Sequence, residues 1–356
     1  MGHYLFAQLI RNRFLNMKNQ SLRVGVIGTG VMGERHCENL FNKITDAHLV
    51  AVSDLKVGRA ERIGRLFGDA KVFETPKDLI NSNDVDAVLV ATSDDVHSSL
   101  ILDCIKVNKP VLCEKPMSIN LDEAWQIIES EITIGRKLVQ IGFCRRYDDQ
   151  HLEVKRKFDS GDFGRSIFYK GWHRNRSVDN RKLTNEQILL NSAIHEFDSI
   201  RWLLGEEARK IYVTGVHTNS DKVSDLLDLI TVHVSLSGDC VANFDVYMSA
   251  GYGYEIGFEL IGQNGTATIG PPSHPFYRDN LKYTSTVESH WLGRLQQAYL
   301  SEVQSWVHSV KSDDFTGPTA WDGYMSLQSA IYGIKSLETG SPMNIPEMDV
   351  PDLYNL

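Results

Sequence analysis

The chain has 356 residues, 42% of them hydrophobic and 9% aromatic, which is too many for one ordinary domain and enough to fill two cores. Its formal net charge of -9 opposes binding to nucleic acid, which demands clustered Lys and Arg, and the short pair Arg145-Arg146 does not change that. No apolar run reaches bilayer-spanning length, and the five cysteines are odd in number, widely spaced and without a Cys-x-x-Cys pair. The expectation is therefore a reduced, cytoplasmic protein with no membrane partner.

In chain order, the apolar patch Tyr4 to Ile10 precedes Arg11 and Arg13, the reverse of a secretory signal, and residues 1–21, which lie ahead of the first strand run, are expected as an N-terminal extension. The first strong element is Val24-Gly25-Val26-Ile27-Gly28-Thr29-Gly30-Val31-Met32-Gly33, an apolar strand feeding into Gly-x-Gly-x-x-Gly. Gly28 permits the tight turn, Gly30 lets backbone approach a pyrophosphate, and Gly33 lets the next helix lie close on the strand. That helix offers unpaired N–H groups and its positive dipole end to phosphates. Asp54 closes the next apolar run, Leu49 to Ser53, where its carboxylate can accept from the adenosine ribose hydroxyls and repel a 2′-phosphate. NAD is thus expected over NADP, with Lys56 softening the preference.

Strand runs at Val24–Ile27, Leu49–Val52, Val72–Phe73, Ala87–Ala91, Val111–Cys113 and Leu138–Ile141 alternate with helical stretches, which predicts a parallel sheet covered on both faces. Thr92, Ser93 and His97 follow the fourth run at the carboxyl edge of that sheet. His97 reads either as a cofactor neighbour or as a surface residue at a helix start. The fifth run ends in Cys113-Glu114-Lys115-Pro116. An ammonium there can stabilise an alkoxide, although a Glu-Lys pair in a turn is also a common solvated face.

From Arg145 the pattern changes. A helix over Leu152–Phe158 and a strand over Ile167–Trp172 lead into a loop rich in Arg and Asn, then a helix from Ile188 to Leu204. His173-Arg174-Asn175-Arg176 closes the strand with groups suited to a polyhydroxylated ligand. Asn191 and His195 stand four apart and share a helix face. His195 is either a general base working near neutral pH or a buried histidine tied to Asp198 or Asn191. Strands follow at Lys210–Val216, Leu227–Leu236, Cys240–Met248, Ile256–Ile261 and Thr266–Ile269, with residues 270–278 as loop. In the second of these, Ile230, Val232, Val234 and Leu236 face one way and Thr231, His233 and Ser235 the other, which suits a sheet with one face in an interface. Helical apolar stripes run over Trp291–Val310 and Leu327–Leu337. No metal-ligand spacing appears, so metal-free hydride chemistry is preferred.

Seven stretches, at residues 24–30, 113–116, 142–148, 172–175, 194–198, 252–256 and 317–324, together resemble the glucose-fructose oxidoreductase, inositol dehydrogenase and MocA-like family (Gfo/Idh/MocA), and most of all its inositol dehydrogenases. The resemblance implies an α/β protein with a Rossmann domain over 22–143 and a substrate-binding and oligomerisation domain over 144–356. The second domain would carry a large, open, mostly antiparallel sheet, and its C-terminal helix would pack back on the first. It further implies a homotetramer, NAD as cofactor, and oxidation of a ring alcohol of an inositol or related sugar to a ketone. By motif, the cofactor contacts are Gly28, Gly30, Val31, Met32, Gly33, Asp54, Thr92, Ser93, His97, Glu114 and Lys115. Lys115 supports the proton relay, His195 is the base, and His173, Asn175 and Tyr252 hold substrate beside Lys115, Asn191 and His195. The Lys115–Pro116 bond is expected to be cis. The family commonly has Asp where this chain has Asn191, and Met where it has Cys144. Asn191 can accept from an imidazole but brings no charge to stabilise its cation. A pyranose dehydrogenase, or an NAD-binding protein with little turnover, are the competing expectations.

Overall fold

The computed structural model describes residues 21–176, 183–218, 226–270, 277–279 and 281–355. Residues 1–20 of the expected N-terminal extension, residues 177–182 of the Arg- and Asn-rich loop and residues 271–276 lie outside that set.

The strand runs of the first part form β1 (Leu22–Ile27), β2 (Ala47–Ser53), β3 (Lys71–Val72), β4 (Ala87–Val90), β5 (Val111–Glu114) and β6 (Val139–Gly142). They pair in parallel in the order β3-β2-β1-β4-β5-β6. Between them run α1 (Val31–Asn42), α2 (Val57–Leu66), α3 (Pro76–Asn81), α4 (His97–Lys106) and α5 (Leu121–Ile134). The central strands are wholly buried, as near-continuous apolar runs with helices on both faces must be. Register brings Ile27 beside Val90, and Val90 beside Cys113, so the turns after β1, β4 and β5 emerge at one edge where the strand order reverses. Ligands of doubly wound sheets bind at that edge.

The second part begins with α6 (Asp149–Asp159) and β7 (Ser166–Arg174). Then come α7 (Asn185–Ile188), a π turn (Leu189–Ala193) and α8 (Ile194–Leu204). Next are β8 (Ala208–Val216), β9 (Leu229–Leu236), β10 (Val241–Tyr247), β11 (Glu255–Gly262) and β12 (Thr266–Ile269). The last elements are β13 (Tyr277–Asp279), β14 (Lys282–Thr284), α9 (Trp291–Ser312), α10 (Ala320–Thr339) and β15 (Met343–Asn344). Seven strands form one sheet in the order β12-β11-β7-β10-β9-β8-β15, antiparallel throughout except for the β7–β10 pair. In β9 the four expected apolar residues are buried, Thr231 and His233 are exposed and Ser235 is half-buried. Where the sequence suggested loop through Arg278, β13 and β14 make a short hairpin.

Two compact units result. One comprises the chain up to Phe143 with residues 299–324 and from Val350 onward; the other comprises 144–298 and 325–349. The linear range 144–356 is therefore divided, and a physical cause is visible in the first unit. Val303, Trp306, Val307 and Val310 of α9 are buried in one core with Leu22, Val24 and Val26 of β1 and with Leu40 of α1. Burial of each such side chain is worth ~1.5–3 kcal/mol.

Candidate active site

In the first unit, Gly28 has φ +87, and a Cβ there would lie 2.3 Å from the Ala91 carbonyl oxygen. A Cβ on Gly33 would lie 1.8 Å from the Gly28 carbonyl oxygen. Both positions require glycine for the turn to close on the helix. Gly30 differs, because a Cβ there would approach only Arg59 Nη1, at 3.6 Å, so its missing side chain leaves open surface. Gly30 caps α1 with no side-chain hydrogen bond, Val31 is exposed, and Met32 is half-buried, so the first-turn N–H groups lack a side-chain cap. Glu34, the acid of that turn, is held by the Arg62 guanidinium at 2.6 and 3.1 Å. This uncapped, uncluttered helix start fits a dinucleotide pyrophosphate.

Asp54 is buried at the end of β2. Its Oδ2 accepts from the Thr29 N–H at 2.8 Å and the Thr29 hydroxyl at 2.9 Å, and its Oδ1 accepts from the Lys56 N–H at 2.8 Å. Burial alone would raise its pKa. The hydrogen bonds from Thr29 and Lys56, with the Arg59 guanidinium, outweigh it and hold the carboxyl below its usual range. Arg59, which no motif in the sequence marks, is the cation against Asp54, with Nη1 3.5 Å from Oδ2; Lys56 contributes its backbone N–H.

At the same sheet edge Thr92 is half-buried and Ser93 exposed. His97 is neither on the surface nor aimed outward: it is 1% exposed, and its Nδ1 lies 2.7 Å from the Pro116 carbonyl oxygen. It thereby ties α4 to the turn that carries Lys115. The Lys115–Pro116 bond is cis, as expected, and Lys115 is half-buried. Glu114 is engaged by His36 of α1, with Nε2 to Oε1 at 2.8 Å, a pair separated by 78 residues that spacing could not reveal.

The second unit gathers the polar groups of β7 and the α7–α8 segment. His173 is buried, with its Nδ1 3.2 Å from both the Ser192 carbonyl oxygen and Arg145 Nη2. Its Nε2 lies 3.3 Å from Asn175 Nδ2, and its ring centroid lies 6.3 Å from that of His195. Asn191 and His195 are both half-buried, but they do not sit on one uninterrupted α-helix. Asn191 lies inside the π turn, whose bonding reaches one residue further than an α-helix, and His195 is in the first turn of α8. Arg145 and Glu196 form a buried ion pair at 2.5 Å, with the Tyr169 hydroxyl donating to Glu196 at 2.8 Å. Tyr252 is 52% exposed, with its hydroxyl 3.5 Å from Arg174 Nη1. Tyr254, two residues on, is the phenol that meets His173 edge-on at 5.9 Å, and burial pushes its pKa up. Among the described residues no group of three or more His, Cys, Asp or Glu side chains could hold a metal ion.

The profile described as "Oxidoreductase family, NAD-binding Rossmann fold" (Gfo/Idh/MocA) matches residues 22–143, and its C-terminal alpha/beta domain matches 155–345. The chain belongs to the Gfo/Idh/MocA oxidoreductase family. It is an NAD-dependent oxidoreductase, and the NAD-binding Rossmann fold of the family matches residues 22–143. An inositol 2-dehydrogenase of Rubrobacter xylanophilus is 40% identical over 337 residues, covering 94% of this chain and 96% of that protein. An inositol 2-dehydrogenase of Klebsiella pneumoniae is 34% identical, covering 94% and 99%. Among solved structures, the myo-inositol dehydrogenase of Lactobacillus casei in complex with NAD(H) and myo-inositol superposes with a TM-score of 0.90 at 32% identity. That likeness covers 94% of this chain and 100% of the other.

Proposed function

We propose that this protein oxidises a ring secondary alcohol of an inositol to the ketone. The observation that carries the reading is the 40% identity, over 94% of the chain, to an inositol 2-dehydrogenase. The polar cluster of His173, Asn175 and His195 supports it with groups suited to a ring of hydroxyls.

Gly28 to Gly33 and Asp54 would hold the cofactor, which supplies a hydride acceptor when bound. The rest is done by side chains of this chain. His195 takes the proton of the reacting hydroxyl, a role suited to an imidazole near neutral pH. For Lys115, on the turn after β5, the proposed role is support of the proton relay through its ammonium, a group that can stabilise an alkoxide. His173, Asn175 and Tyr252 hold the neighbouring hydroxyls. Asn191 can accept from an imidazole N–H without adding charge, so the imidazolium formed on His195 gains less than it would from a carboxylate. The half-polar second sheet, with Thr231 and His233 exposed on β9, is the face through which we place a homotetramer. All five cysteines are free and buried, which supports a reducing, cytoplasmic setting, and no helix among the described residues is long and apolar enough to cross a membrane.

The test is NADH formation by purified protein with myo-, scyllo- and chiro-inositol, glucose and simple glucosides. An inositol should give the highest kcat/KM. A pyranose or glycoside above every inositol would overturn the substrate class. Silence across the panel with NAD still bound would favour a binding protein with little turnover, the reading that Asn191 motivates.

A further inference from the structure

The acid that should exclude NADP is accompanied by a cation. Asp54 Oδ2 carries two donors from Thr29 and lies 3.5 Å from Arg59 Nη1, while Oδ1 carries one donor from the Lys56 backbone. Arg59 is in the first turn of α2, and its N–H donates to the Lys56 carbonyl at 2.7 Å, which fixes its backbone beside the end of β2. Its side chain is 37% exposed, and its guanidinium stands 3.6 Å from where a Gly30 Cβ would be. It therefore occupies the space between the acid and the glycine turn, half in solvent. Arg62, the next cation along that helix face, is committed to Glu34 in a two-pronged ion pair. Among the described residues Arg59 makes one ion contact, with a carboxylate that already has three other donors.

The two nicotinamide cofactors differ by one phosphate on the adenosine ribose 2′-oxygen, the group that an acid at the end of β2 confronts and a nearby Arg accommodates. Guanidinium binds phosphate through paired N–H donors, and it forms such contacts more strongly than a single-point contact to an already satisfied carboxylate. We infer that Arg59 is a second specificity-determining residue, which exchanges Asp54 for a ribose 2′-phosphate and so gives the protein a usable NADP mode beside its NAD mode. With NAD, Arg59 stays on Asp54 and Oδ1 keeps a lone pair for a ribose hydroxyl. With NADP, the Thr29 and Lys56 donors still satisfy Asp54 when the guanidinium leaves it.

The inference rests on the Rossmann cofactor site but not on the substrate, so the test is equilibrium binding without any polyol. NADH and NADPH are titrated into the full chain, and dissociation constants are read from nicotinamide fluorescence for the parent, Arg59→Ala and Arg59→Lys. The parent should bind NADPH within about tenfold of NADH. Arg59→Ala should weaken NADPH by about tenfold or more, the scale of a lost charge-assisted contact, while NADH changes by less than about twofold. Arg59→Lys, which keeps the charge and loses the planar fork, should fall between them. Parallel weakening of both nucleotides would overturn the proposal, because Arg59 would then serve a part they share. So would parent NADPH binding about a hundredfold weaker than NADH and indifferent to either substitution. Failure of both nucleotides to bind the parent would overturn the cofactor site itself, and the inference with it.

Discussion

His195→Ala should lower kcat for inositol oxidation by roughly two to four orders of magnitude, the span that a positioned general base supplies, while the NADH dissociation constant stays at the parent value. The expectation follows from what the neighbouring imidazole is doing. The His173 ring lies tilted against that of His195, at 6.3 Å between centroids, but both of its nitrogens already have neighbours: Ser192 and Arg145 at Nδ1, and Asn175 at Nε2. It is therefore poorly placed to replace His195 as proton acceptor. Rapid-mixing measurement of the reduced cofactor separates the chemical step from release. A kcat within about threefold of the parent would remove His195 from the proton relay.

The second large effect is structural. Gly33→Ala should abolish measurable NADH binding and lower the thermal midpoint, because its Cβ would sit 1.8 Å from the Gly28 carbonyl oxygen. That oxygen cannot retreat easily, since Gly28 is itself at φ +87 and closed against the Ala91 carbonyl. Forcing an extra carbon into such a contact costs at least ~1–3 kcal/mol. Gly30→Ala provides the contrast, because its Cβ meets only Arg59 Nη1 at 3.6 Å. It should leave the thermal midpoint unchanged and weaken NADH, since it adds bulk where the pyrophosphate approaches. Calorimetric melting with fluorescence titration of the two variants checks both claims. Equal thermal loss in the two would refute the distinction between a packing glycine and an approach glycine.

The elements that sequence revealed are those whose determinants are local. The stretches 24–27 of β1, 87–90 of β4 and 111–113 of β5 are continuous runs without a polar side chain, and the Gly28–Gly33 spacing carries its own geometric demand. The alternation in β9 is equally direct, because a strand with one buried face shows a period of two. The π turn was not visible, since Leu189, Leu190, Ile194 and Phe197 satisfy an apolar stripe whether or not one residue is inserted. The stripe of α9 identified a buried face, but a stripe does not name the core it enters, and the residues of α9 from Tyr299 onward join the first unit. The partners of His36, Arg145 and Asp54 depend on tertiary register. Glu114 lies 78 residues from His36 and Glu196 lies 51 from Arg145. Arg59 is close to Asp54 in sequence, yet only the turn at Lys56 brings its guanidinium back over the carboxylate. Choosing between Tyr252 and Tyr254 as the neighbour of His173 required the same knowledge, because both sit at the mouth of β11 and only Tyr254 is buried.

The measurement that bears most directly on the central claim follows deuterium from the substrate. myo-Inositol carrying deuterium at a ring carbinol carbon is incubated with the protein and NAD, and the reduced cofactor and the polyol product are weighed by mass spectrometry. The account predicts one deuterium in the reduced cofactor for each ketone formed when the labelled carbon is the one oxidised, with a slowed rate under single-turnover conditions. Reduced cofactor without label from every singly labelled position, or no ketone despite saturated NAD, would contradict it.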